Sequence, residues 1–210
     1  MPTAEPSWAH EAFASVSFEG NVSELVGTYD AYVRVFNPAV DPIAPPGMST
    51  RSWAKVSTAA AAITADTQWA DLHADPYLDE PVMGDLHPHV AAELARILVG
   101  YTTTPDECAF LLWTGYAETR TLSNAPLIQS GHRDSLALFT GPVTAGADAR
   151  YGRRPTNWRP RDRAWAVGAD IYARSAYIGG TNTAINEILA TPHLEALPAH
   201  AQTVPATEDR

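Results

Sequence analysis

A single cysteine, Cys108, stands among 210 residues, which excludes an intramolecular disulfide. It lies inside the apolar run "CAFLLW", where a thiol behaves as a small buried hydrophobe and not as a nucleophile. No run of roughly eighteen apolar residues occurs, so no membrane-spanning helix is expected. The opening residues lack the basic-then-apolar pattern of a secretory signal. With one thiol and no such signal, a reducing cytoplasm is the expected location. Lysine is almost missing: Lys55 stands against thirteen arginines. Catalytic fingerprints are missing too. The chain has no Gly-x-Ser-x-Gly, no His-Glu-x-x-His, no Cys-x-x-Cys and neither of the glycine-spaced nucleotide loops. No cofactor is therefore specified by motif.

What is present describes a folded, soluble protein. Hydrophobic residues make up 45% and charged residues 18%, an ordinary balance for a chain that buries a core. Its ends, "MPTAEPSWAHE" and "ALPAHAQTVPATEDR", are rich in Pro, Ala, Thr and acids without periodicity. The expected organisation is a flexible arm over residues 1–20, one domain over 21–197 and a disordered tail over 198–210.

Within that domain, "YDAYVRVFNPAV" alternates, with Tyr32, Arg34 and Phe36 on one face and Val33 and Val35 on the other. This reads as a strand stopped at Asn37-Pro38, although a helix through Leu25, Tyr29, Val33 and Phe36 also fits the spacing. Trp53, Val56, Ala60 and Ile63 recur at helical spacing behind Ser49 or Thr50 as a cap. "HPHVAAELARILVG" has His87 at the cap, Pro88 at the first helical position and a stripe of Val90, Leu94, Ile97 and Leu98. Strands follow over "CAFLLWTGYA", "SLALFTG", "RAWAVGADIY" and "SAYIGG", and a last helix over "TAINEILA" closes at Pro192. Helices first and closely spaced strands after predict an α+β fold. The expected sheet is mainly antiparallel, of about five strands, with two or three packed helices.

The segments "AYVRVFNPA", "RSWAKV", "FLLWTGYA" and "NWRPRDRAWAVGADIYARSAYIGGT" resemble a family of small, functionally unassigned proteins of high-GC, actinobacterial-type bacteria. In that family a Trp-Pro-x-Asp-Arg-Ala-Trp stretch precedes a Tyr-Val-Gly-Gly step. Here Trp158-Arg159-Pro160 replaces the usual double Trp, and Asn37 stands where His is common. The resemblance spans roughly residues 28 to 197. It implies one compact domain and supplies no catalytic residues to carry over.

Two stretches could carry chemistry. "DTQWADLHADPYLDEPVMGDLHPH" offers Asp71, His73, His87 and His89, ligand types that suit zinc or manganese in a metal-assisted hydrolase. A helix starting at Pro88 would turn His87 and His89 about 200° apart, so they would not share an ion from regular helix positions. "RYGRRPTNWRPRDR", residues 150–163, packs six arginines into a chain of net charge -10. Six Arg and one Asp give the stretch +5, which leaves the remainder of the chain at -15.

Arg153, Arg154, Trp158, Arg159, Arg161 and Arg163, with Arg174 and the Gly179-Gly180 turn, are candidates for holding an anion or an acidic partner. A latch onto the chain's own acidic segment, such as "ADPYLDE", is the structural counterpart of that reading. The overall acidity disfavours nucleic acid. The leading expectation is a non-enzymatic binding protein with another protein as partner, in one form an immunity- or antitoxin-like protein. The metal-assisted hydrolase and the small-anion sensor are the rivals.

Overall fold

The computed structural model describes residues 6–45, 48–58, 62–72, 74–119, 122, 125–130, 133–149 and 152–205. The chain opens with helices α1 (Ser7–Phe13) and α2 (Val22–Val26), then strand β1 (Ala31–Phe36). A short hairpin of β2 (Ala39–Val40) and β3 (Thr50–Arg51) leads into α3 (Trp53–Val56). After α4 (Pro88–Leu98) come β4 (Cys108–Trp113), β5 (Leu127–Ser130) and β6 (Arg133–Gly141). The chain continues through β7 (Asn157–Pro160), β8 (Ala166–Gly168) and β9 (Ser175–Gly180), and ends with α5 (Asn182–Ala190) and β10 (Ala196–Ala199).

Eight strands form one sheet in the order β10-β1-β9-β8-β7-β4-β6-β5, and every described pairing in it is antiparallel. The fold is α+β with a large antiparallel sheet, larger than the five strands expected. The unforeseen strands are β5, β7 and β10. β7 lies inside the arginine-rich stretch, where Trp158 and Arg159 alternate across the sheet. β10 straddles the expected boundary at residue 197 and carries Pro198 and Ala199 of the expected tail into the sheet. Pro198 sits opposite Val33 in this edge strand, where its missing N–H leaves no ladder bond unmade.

Alternation along the strands feeds two cores. Val33, Val35, Phe110, Trp158, Val167 and Ile178 face α4 and α5. Tyr32, Ala109, Leu111, Leu138, Ala166 and Tyr177 face α1 and α2. The segment expected as a flexible arm therefore holds a helix from Ser7 on, with Ala9, Ala12 and Phe13 buried. No described helix is long and apolar enough to cross a membrane.

α4 follows its sequence signals. The His87 ring accepts from the His89 N–H at the cap, Pro88 opens the helix, and Val90, Leu94, Ile97 and Leu98 are buried. The helix read over Trp53 to Ile63 is shorter than its spacing suggests, because Ser57 is already extended. There the backbone turns to another partner: the Thr58 N–H donates to the Leu72 carbonyl, tying α3 to a 3-10 turn at Trp69–Leu72. Ala60 of that reading lies outside the described residues. A third cluster forms here, at the Phe36 end of β1. Trp53 packs on Phe36 and Trp69 with ring centroids 4.7 and 5.4 Å apart, and its indole N–H donates to the Asn37 carbonyl.

Candidate functional site

The arginines of the basic stretch turn onto their own chain. Arg154 donates from its backbone N–H to Asp85, and from its guanidinium to the Ala147 and Leu86 carbonyls. Arg153 donates to the Met83 carbonyl, lies over the Tyr116 ring and stands 3.8 Å from Glu118. Arg174 grips Glu80 at 2.5 Å and the Pro81 carbonyl at 2.6 Å. The Asn37 side chain completes the grip, donating to the Val82 and Asp85 carbonyls and accepting from the His87 N–H. Segment 80–87 is thereby strapped to the sheet by three arginines and an asparagine. The counterpart of the cluster is Glu80 to Leu86, which begins at the last acid of "ADPYLDE".

Arg159 is used deeper in the fold. It is buried beneath α1 and α2, and donates to the Ala12 and Leu25 carbonyls near the C-terminal ends of both helices. A cation there also complements the helix dipoles. Burial lowers its pKa, although the group stays cationic. Arg161 makes an exposed pair with Glu107, and Arg163 is an exposed turn residue at φ 55°. Trp158 is fully buried, with its indole N–H on the Pro155 carbonyl, so it offers no face to a base. Arg150 and Tyr151 lie outside the described residues.

The anion-sensor set is not brought together. Gly179 and Gly180 end β9 and Arg174 precedes its start, about 17 Å away at strand rise. Gly179 packs under Tyr29 and Val26, and the Thr181 hydroxyl already caps α5. Gly179 thus serves close packing, since a Cβ there would meet the Tyr29 ring.

The metal set is also dispersed. Asp71 is exposed and accepts from the Gln68 N–H, while Asp85 is buried beneath Arg154. His87 caps α4, and burial lowers its pKa. His89 turns away, to the His193 carbonyl. His73 lies outside the described residues. Among the described residues, no three His, Cys, Asp or Glu are placed to hold a metal ion.

No family model, curated protein or solved structure matches this chain.

Two concave surfaces among the described residues meet at Lys55. One is a cleft of about 440 Å³ between α3, the start of α4 and the segment before β10. His89 and His193 stand there with ring centroids 5.9 Å apart, beside Ser52, Lys55 and Glu195. The Glu195 carboxylate is occupied, accepting from the Trp53 and Ala54 N–H groups at 2.5 and 2.8 Å. Burial raises its pKa, against those two bonds and the Lys55 charge. The other surface is an open groove of about 590 Å³ along the β2–β3 hairpin, lined by Asp41, Arg51, Lys55, Asp75 and Leu78. Ile43 and Met48 in the hairpin and Tyr77 in the facing turn are 93%, 68% and 84% exposed. A backbone bridge from Val40 to Asp79 holds hairpin and turn side by side.

Sequence reasoning missed His193, Glu195 and the exposed hairpin apolars. His193 and Glu195 are brought in by the return of the chain to β10, which leaves no local pattern. Lys55 did carry a signal, as the single lysine.

Proposed function

We propose that this chain acts by binding a basic partner protein, with no chemistry of its own, through the face made by the β2–β3 hairpin, α3 and residues 62–80. The observation that carries the reading is the set of three large apolar side chains, Ile43, Met48 and Tyr77, exposed on the hairpin and on the turn that the Val40–Asp79 bridge holds beside it. Exposed apolar groups clustered beside polar ones mark interaction surfaces. The surrounding charge selects the partner. Residues 56–95 contain no lysine or arginine, and Asp66, Asp71, Asp75, Asp79 and Glu80 are all exposed there. Such a field attracts cations and repels polyanions. An immunity- or antitoxin-like protein covering a basic toxin is one form of this reading, with the cytoplasm as its compartment.

The test is affinity capture from host lysate with three baits: the wild type, an Ile43→Ser/Met48→Ser/Tyr77→Ser variant and an Asp75→Asn/Asp79→Asn variant. The reading expects one stoichiometric partner of basic isoelectric point, lost with the apolar variant and weakened by the acid variant and by salt. A partner retained equally by all three baits removes the proposed face.

A further inference from the structure

We propose that the cleft between α3 and the start of α4 is a binding site for a small carboxylate carried on an apolar body, held by Lys55, His89 and His193. This goes beyond the partner-binding face, with which the cleft shares Lys55. The one carboxylate in the cleft, Glu195, has both oxygens engaged by backbone N–H groups of α3. Its remaining polar side chains are Thr50, Ser52, Lys55, His89 and His193. Apart from Glu195, the lining is thus made of hydroxyls, imidazoles and an ammonium.

The Lys55 ammonium is in no ion pair among the described residues. The His89 Nε2 is engaged with the His193 carbonyl, so the donors left in the lining are the Lys55 ammonium, the Thr50 and Ser52 hydroxyls and the His193 ring; with its own acid spent, the lining matches a ligand that brings acceptors and negative charge. The rest of the wall states what the ligand's body is. Phe36, Val90 and Leu194 line the same space, together with Pro38 and Pro192. A volume of about 440 Å³ suits a small organic molecule and exceeds what a bare inorganic anion fills.

Lysine scarcity gives a clean probe. Reductive methylation with carbon-13 formaldehyde keeps the charge and marks Lys55 as the only side-chain amine. Hexanoate and benzoate are titrated against this protein at constant pH, with hexylamine, hexanol and inorganic phosphate as comparisons. The Lys55 methyl signal and the His89 and His193 ring signals are followed together. The proposal expects saturable shifts of all three with the two carboxylates only.

Ser52→Asp, which lines this cleft and not the hairpin groove, should weaken hexanoate binding at least tenfold by placing a carboxylate in the site. In Lys55→Met, an exposed position with no packing to lose, the imidazole shifts should vanish while the fold persists. Equal shifts with hexylamine or hexanol, saturation by phosphate without saturation by the carboxylates, or no saturable shift at all would each overturn the proposal.

Discussion

Arg154 closes on Asp85 from two sides: its backbone N–H donates to one carboxylate oxygen at 3.0 Å, and its guanidinium stands 3.8 Å from the other. Asp85 also accepts from the Leu86 N–H. The pair is nearly out of solvent, with side-chain exposures of 16% and 10%. Burial raises the Asp85 pKa, and the two N–H groups and the Arg154 charge act against that rise. The link joins the basic stretch to the segment that precedes α4, so the cluster acts as an internal strap.

Removing the cation should expose the cost of that buried carboxylate. Arg154→Leu is expected to lose about 3 kcal/mol at pH 7, where the cost of an unsatisfied buried group and that of breaking a buried pair overlap. The folded pKa of Asp85 is already above its unfolded value and rises further without Arg154. The folded state then binds the extra proton as pH falls through that raised pKa, so the deficit shrinks on acidification. Urea unfolding at pH 7 and pH 5 measures it. A deficit of equal size at both values would mean that the carboxylate is not involved.

Arg159 links two helices to the sheet with one side chain. Arg159→Met keeps much of the stem's volume but leaves the Ala12 and Leu25 carbonyls without their donors. The expected loss is about 3 kcal/mol, with faster amide exchange in α1 than in β4. Arg159→Lys should fall between, because an ammonium lacks the planar fork that reaches both carbonyls. A Met variant as stable as the parent would refute the assignment.

Asp162, the one acid of the basic stretch, holds the loop after α4 to the β7–β8 turn. It accepts from the Thr103 N–H at 2.6 Å, from both the Thr102 and Thr103 hydroxyls at 2.8 Å, and from the Ala164 N–H. Burial pushes its pKa up, but these bonds outweigh it and hold the group below the usual carboxylate range. Its contribution is therefore complete above the unfolded value of about 4 and is lost as pH falls through the lower folded pKa. Thermal melts should show Asp162→Asn less stable than the parent at pH 7 and nearly equal to it near pH 2. A gap that stays constant with pH would contradict this.

Local physics made much of the fold legible. β1, β4, β6, β8, β9, α4 and α5 each carry their own period or cap, and the structure forms them where those signals stand. β7 was hidden because Arg159 reads as a surface residue, whereas here its charge is buried against helix carbonyls. β10 was hidden because "ALPA" has no strand period of its own and forms only by pairing with β1 across most of the chain. The candidate site suffers from the same distance. His89 meets His193, and α3 is capped by Glu195, through contacts that no spacing rule reaches. The acidic character of residues 66–80 was visible, and the structure adds the exposed Ile43, Met48 and Tyr77 beside it.

Hydrogen–deuterium exchange of the chain alone and with its captured partner tests most directly which face does the binding. New protection is predicted over residues 40–51 and 66–80, and no change over 152–163, where Arg153, Arg154, Arg159 and Arg161 are already engaged. Protection centred on 152–163, with the hairpin and its facing turn unchanged, would contradict it.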